Sequence, residues 1–267
     1  MSVGVATMTR MTSIVELRQY ELVPGRRDAL ITLFEREFVE SQEAVGIHLI
    51  GTFVDLDNPD RFVWMRGFRD NAARTEALRG FYYGPIWAAH RTAANATMID
   101  SDNVLLLRPA GTGAGFPTAP DAAAPDGWIV PPSMYAVSVY AIPAGGDEAD
   151  LIRFFDAHVL PVASSAGART VGLLRTNPGE NGFPALPVRE GERVLVWISR
   201  FPDIDAHARY VARLGQCDEW QARVAPSLGA RVGASRAGAA AGAHAKITLS
   251  LSGHAVVRPM SALSRRA

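Results

Sequence analysis

The chain repeats itself, and that repeat limits its possible folds more than any other feature. "RFVWMRGFRD" (61–70) returns as "RVLVWISRFPD" (193–203). Trp64 and Trp197, Phe68 and Phe201, and Trp87 and Trp220 each stand 133 residues apart. Earlier in the chain the spacing is shorter: 120 for Tyr20 and Tyr140 and for Phe34 and Phe154, and 121 for Gly46 and Gly167. The second copy therefore carries about 12 extra residues between its second and third strands, in "NPGENGFPALPVREGE" (177–192), a Pro/Gly-rich loop. "PAGTGAGFPTAPDAAAPDG" (109–127) reads as a linker between the copies. The expected organisation is a first repeat at 13–109, a linker at 110–130 and a second repeat at 131–260.

Each copy reads β-α-β-β-α-β. In the first, a strand at about 13–22 precedes a helix with Leu30, Leu33, Phe34 and Phe38 at helical spacing, which Gly46 stops. Strands at 47–54 and 61–68 flank the turn sequence "DLDNPD". A second helical region, 71–95, breaks near Gly84-Pro85, and "DNVLLLR" (102–108) is the last strand. The second copy closes on "HAVVRP" (254–259). This is the ferredoxin-like order, α+β in class. Such a sheet has helices on one face only. Two copies can cover each other's bare face, so tandem ferredoxin-like repeats with face-to-face antiparallel sheets, forming an α/β barrel, are expected.

Composition narrows the partners. Lys plus Arg equals Asp plus Glu at 27 each, which gives none of the basic surface of a nucleic-acid binder or a polybasic membrane patch. No window is apolar enough for a membrane span, and "MSVGVATMTRMTS" has no signal-peptide core, so a cytoplasmic protein is expected, starting at Met1, Met8 or Met11. With Cys217 as the one cysteine, an intrachain disulfide and a Cys-based zinc site are excluded.

"VELRQYELVPG", "GTFVDLDNPDRFVWMRGF" and "FYYGPIWAAHR" followed by "DSDNVLLLRP" resemble the NIPSNAP family of the dimeric α/β-barrel superfamily. The family's Glu-Leu-Arg-x-Tyr strand matches Glu16, Leu17, Arg18 and Tyr20, and its aromatic marks match Trp64 and Trp87. The motifs are sharp in the first copy and degraded in the second. The resemblance implies the fold and a tendency to form homodimers or higher homo-oligomers. It does not fix a reaction, because fold does not imply function. Superfamily relatives include cofactor-free monooxygenases, isomerases and haem-dependent enzymes.

The second copy is an internal control for the first. Glu16 matches Ala136, Arg18 matches Ser138, Arg66 matches Ser199, and Trp87-x-x-His90 matches Trp220-x-x-Arg223. The polar set is concentrated in the first copy, which suggests one working pocket. Alternation puts Ile14, Glu16, Arg18 and Tyr20 on one face of the first strand, and Phe62, Trp64, Arg66 and Phe68 on one face of the third. Val15 and Leu17 suit a helix-covered face, so Glu16, Arg18 and Tyr20 are expected to look into the barrel interior. Arg18 and Arg66 beside aromatic walls would anchor a carboxylate, phenolate or carbonyl. The same Glu16–Arg18 pair reads equally as a structural ion pair.

His90, on the helix face of Ile86 and Trp87, is the candidate proton shuttle, with a hydrogen-bonded structural histidine as the other reading. Glu16 completes the catalytic pair. Tyr20, Trp64, Tyr82, Tyr83, Trp87 and Asp100 are the remaining substrate-binding candidates. His48, His90, His158, His207, His244 and His254 show no ligand spacing, so no metal is expected. No cofactor is expected either, although a haem on one axial histidine stays open. The expected function is small-molecule binding by a cofactor-independent enzyme of isomerisation, dehydration or oxygenation. A non-catalytic ligand-binding or oligomeric interaction protein is the alternative.

Overall fold

Period-two alternation carries the chain into strands wherever Val, Ile, Leu and aromatic residues cluster. The computed structural model describes residues 12–111, 116, 133–233 and 244–251, the last segment as backbone. The strands are β1 (Ile14–Leu22), β2 (His48–Asp55), β3 (Arg61–Phe68), β4 (Met98–Asp100), β5 (Val104–Pro109), β6 (Met134–Ala141), β7 (Arg169–Thr176), β8 (Val194–Phe201) and β9 (His244–Leu251). The first-half helices are α1 (Arg27–Leu33), α2 (Val39–Ala44), α3 (Asn71–Tyr82) and α4 (Pro85–Asn95). Those of the second half are α5 (Glu148–Phe154), α6 (Leu160–Ala166), α7 (Ile204–Gly215) and α8 (Ala225–Gly229).

The two halves share their irregularities as well as their regular elements. A π-helical stretch joins α1 to α2 at Phe34–Phe38 and α5 to α6 at Phe155–Val159. The structural counterpart of Phe34 is thus Phe155, one residue later than the sequence pairing with Phe154. Gly46 and Gly167 end their helices at φ 90° and 115°, a conformation that a side chain would strain. Asp70 and Asp203 cap α3 and α7 by accepting from Ala73 N and Ala206 N.

All pairings among the described strands are antiparallel. They run in a closed circuit, β1–β3–β2–β9–β6–β8–β7–β5 and back to β1, with β4 attached to β1. The two halves meet at β2–β9 and β5–β7. The expected last strand at 254–259 lies outside the described residues; the last described strand is β9. Within the expected linker, Phe116 is buried, and its carbonyl accepts from Thr12 N at 2.7 Å.

Three apolar cores follow from this topology. One consists of strand residues from both halves, including Val15, Leu17, Val63, Met65, Leu105, Val137, Val139, Val196 and Ile198, together with Phe116. The second lies between the second-half strands and their helices. The third, between the first-half strands and α1–α4, holds Tyr20, Phe34, Phe38, Phe62, Trp64 and Phe81.

This arrangement reverses the expected orientation of β1. Val15 and Leu17 point into the core shared by the two halves, while Tyr20 and Trp64, which share faces with Glu16, Arg18 and Arg66, pack against the helices. The reason is size. Facing strands interdigitate best with compact aliphatic side chains, whereas the helix layer accepts long polar and aromatic ones.

Candidate functional site: a buried arginine cluster

Alternation within β1 and β3 builds the site. Glu16 lies directly opposite Arg66 across the ladder, and Arg18 lies opposite Trp64. Glu16 Oε2 accepts from Arg18 Nη1 and from Arg66 Nε, both at 2.7 Å. Glu16 Oε1 accepts from Arg74 Nε at 2.6 Å. Arg74 comes from α3, where it shares the inward face with Leu78 and Phe81 at helical spacing. All four side chains are at most 1% exposed.

Three guanidiniums around one carboxylate leave two positive charges in excess, because arginine stays protonated in proteins. No other carboxylate among the described residues lies within ion-pair distance of these arginines. Neutral groups share the load. Arg18 Nε donates to the Tyr20 hydroxyl at 2.8 Å, Arg66 Nη1 to Gln42 Oε1 at 3.1 Å, and Arg74 Nη1 to Asn181 Oδ1 at 3.0 Å. The Arg66 guanidinium lies 4.9 Å from the Trp64 ring centre and 5.7 Å from that of Tyr82. Even so, Nη2 of Arg18, Arg66 and Arg74 and the Trp64 indole nitrogen are buried without a hydrogen-bond partner among the described residues.

The electrostatics fix the proton inventory. Burial alone would raise the Glu16 pKa, but Arg66, Arg18 and Arg74 outweigh it and hold the carboxyl well below the usual range. Glu16 is therefore a permanent anion that orients the arginines, and a poor proton acceptor. Burial raises the Tyr20 pKa against the pull of Arg18, so its hydroxyl stays protonated.

A cavity of about 30 Å³ adjoins the cluster, lined by Tyr20, Gln42, Trp64, Tyr82 and Trp87 among others. One water-sized group fits there. The second half closes this region. Phe183, from the 177–192 insert, stacks on Tyr82 at 5.9 Å and packs in the first-half helix core. Asn177 Nδ2 donates to Asn71 Oδ1 at 2.9 Å, and Arg189 N to the Val104 carbonyl at 2.8 Å. Gly179 and Gly182 allow this close lie, since a Cβ there would stand 2.6 Å from Asn71 and 2.3 Å from Thr75. The insert is a strap across the first-half site.

Of the residues expected from sequence, Glu16, Arg18, Tyr20, Trp64, Arg66 and Tyr82 come together, with Trp87 on the cavity wall. His90 does not join them. It is part-exposed, 3.4 Å from Glu37 Oε2, and does not line the cavity. Tyr83 is 74% exposed, its ring 5.7 Å from that of Phe183. Asp100 is exposed on β4 and accepts from Asp102 N. Arg74, Gln42 and Asn181 are additions that the sequence reading missed. Among the described residues no cluster of His, Cys, Asp or Glu could hold a metal, and no helix is long and apolar enough to cross a membrane.

An antiparallel α+β protein with a buried arginine–glutamate cluster between sheet and helices is the class these features define. Residues 15–112 match the NIPSNAP family model. Among solved structures, an anthrone oxidase-like protein is 16% identical, with a TM-score of 0.57 over 92% of this chain and 93% of its own. A provisionally named monooxygenase of Fusobacterium nucleatum subsp. nucleatum is 10% identical, with a TM-score of 0.54 over 90% and 93%. A NIPSNAP-like domain protein of Burkholderia xenovorans is 26% identical, with a TM-score of 0.36 over 41% and 94%. The first two likenesses are to the fold. No curated protein matches the chain.

Proposed function

We propose that the chain is a tandem α/β-barrel protein that binds a small acidic molecule at the first-half arginine cluster and transforms it without a cofactor. The excess of buried guanidinium over carboxylate carries this reading. A purely structural ion pair has no use for two uncompensated charges, which cost several kcal/mol in a dry interior, on the order of 3–5 for a broken pair. An anionic ligand would complete the hydrogen bonding of the three Nη2 atoms and offset that charge.

The proton inventory narrows the substrate. Glu16 is too acidic to act as a base and Tyr20 too basic to lose its proton. A molecule that ionises by itself, such as a phenol, an enolisable carbonyl compound or a carboxylic acid, suits the cluster best. Guanidiniums fixed in place favour the phenolate or enolate form. Oxygenation is the leading reaction, in keeping with the solved structures named as monooxygenase and anthrone oxidase-like. Entry of anything larger than a water requires Tyr82 and the strap to move.

A homo-oligomer belongs to the same proposal. Its contacts would involve helix surfaces, because circuit closure leaves β4 as the free edge among the described strands. The test of function is dioxygen consumption with an anthrone, and separately with simple phenols, by the wild-type chain and by Arg66→Gln. Turnover that falls at least tenfold in the folded variant supports the reading. Consumption that is absent, or unchanged by the substitution, overturns it.

A further inference from the structure

The second half has its own cleft in the same place, and its chemistry is the opposite. Ala136 lies opposite Ser199 across β6 and β8, as Glu16 lies opposite Arg66 across β1 and β3. Ser138 lies opposite Trp197, as Arg18 lies opposite Trp64. Replacing three long charged side chains by Ala136, Ser138 and Ser199 leaves a cavity of about 320 Å³, against about 30 Å³ in the first half. A volume of this size falls at the lower end of the range for ligand pockets.

Its walls are aromatic and aliphatic: Tyr140, Trp197, Tyr210, Trp220, Leu214 and Leu228. Among the described residues no charged side chain lines it. Against these described walls an ionic ligand would lose its hydration without replacement. The polar lining is short and uncharged. The Ser138 and Tyr140 hydroxyls are hydrogen-bonded to each other, and Gln221 Nε2 donates to the Leu214 carbonyl at 3.2 Å. Burial pushes the Tyr140 pKa up to about 12, so its phenol keeps its proton at neutral pH. Val211, 48% exposed, marks the mouth.

We propose that this second-half cleft is a separate binding site for a neutral, planar aromatic molecule carrying a hydroxyl or carbonyl group. Flat ring systems match indole and phenol walls, and the Ser138–Tyr140 pair supplies a polar anchor. The chain then has two sites of different selectivity: an anion site in the first half and a neutral aromatic site in the second. The second does not depend on the first being catalytic.

Titration calorimetry with 2-naphthol and with 2-naphthoate, its charged counterpart of similar outline, tests this on the full chain. Submillimolar binding of 2-naphthol is expected. Val211→Trp, which narrows the mouth from its exposed side, and Ser199→Leu, which fills the interior, should each weaken binding at least tenfold. Circular dichroism establishes that each variant is folded. In the wild-type chain, 2-naphthol should shift the indole N–H resonances of Trp197 and Trp220 and leave those of Trp64 and Trp87 in place, a readout that needs no variant. Absence of binding, indole shifts confined to the first half, or 2-naphthoate shifting Trp197 and Trp220 at equal affinity would overturn the proposal.

Discussion

Glu16 and Arg66 face each other across neighbouring strands, with Glu16 Oε2 2.7 Å from Arg66 Nε. Their placement ties register to charge. A one-residue slip of β1 on β3 would turn Glu16 towards the apolar core of Val15 and Leu17 and leave three arginines without a carboxylate. Glu16→Gln should therefore lower unfolding free energy by about 3–5 kcal/mol, as expected when one partner of a buried charge pair is removed. Urea denaturation measures it, and a loss under about 0.5 kcal/mol, typical of a surface change, would contradict the account.

The acid limb of stability follows from the same carboxylate. Its folded pKa is depressed, so its contribution is fully present above the ordinary carboxylate range. That contribution is lost as pH falls from this range towards the folded pKa, where the folded carboxyl finally takes up a proton. The stability gap between wild type and Glu16→Gln should thus be level from neutral pH down to about pH 5 and shrink at lower pH. A gap that widens in acid would show the opposite sign of shift.

The strap should behave as part of the first-half core. Phe183 is 3% exposed and stacks on Tyr82, so Phe183→Ala should cost about 3 kcal/mol. It should also speed amide exchange at residues 177–192 and in the N-terminal turn of α3. Unchanged exchange in α3 would mean that the strap is not coupled to the site.

His90 offers a negative control. Its side chain is 29% exposed and meets Glu37, outside the cavity lining. His90→Ala should change stability by no more than about 0.5 kcal/mol and leave anion binding intact. A tenfold loss of turnover would restore it as a proton shuttle acting from the rim.

Much of the fold was legible because spacing alone carries it. Trp64 and Trp197, Gly46 and Gly167, and Asp70 and Asp203 mark corresponding places without any knowledge of contacts. The direction of β1 was not legible. Alternation separates Glu16, Arg18 and Tyr20 from Val15 and Leu17 but does not say which set meets the helices. The aliphatic set of β3, Val63 and Met65, and that of β6, Val137 and Val139, held the clue, since both fill one core. Arg74 was readable in principle from its helical spacing to Leu78 and Phe81. Asn181 was not, because it reaches Arg74 across 107 residues of sequence only once β5 and β7 have paired.

Anomalous diffraction from bromide-soaked crystals of the wild-type chain tests the central claim most directly. A halide is far smaller than any organic acid and so asks the least movement of Tyr82 and the strap. The account predicts a bromide peak within hydrogen-bonding distance of Nη2 of at least two of Arg18, Arg66 and Arg74. Bromide on surface arginines with none at the cluster would contradict it.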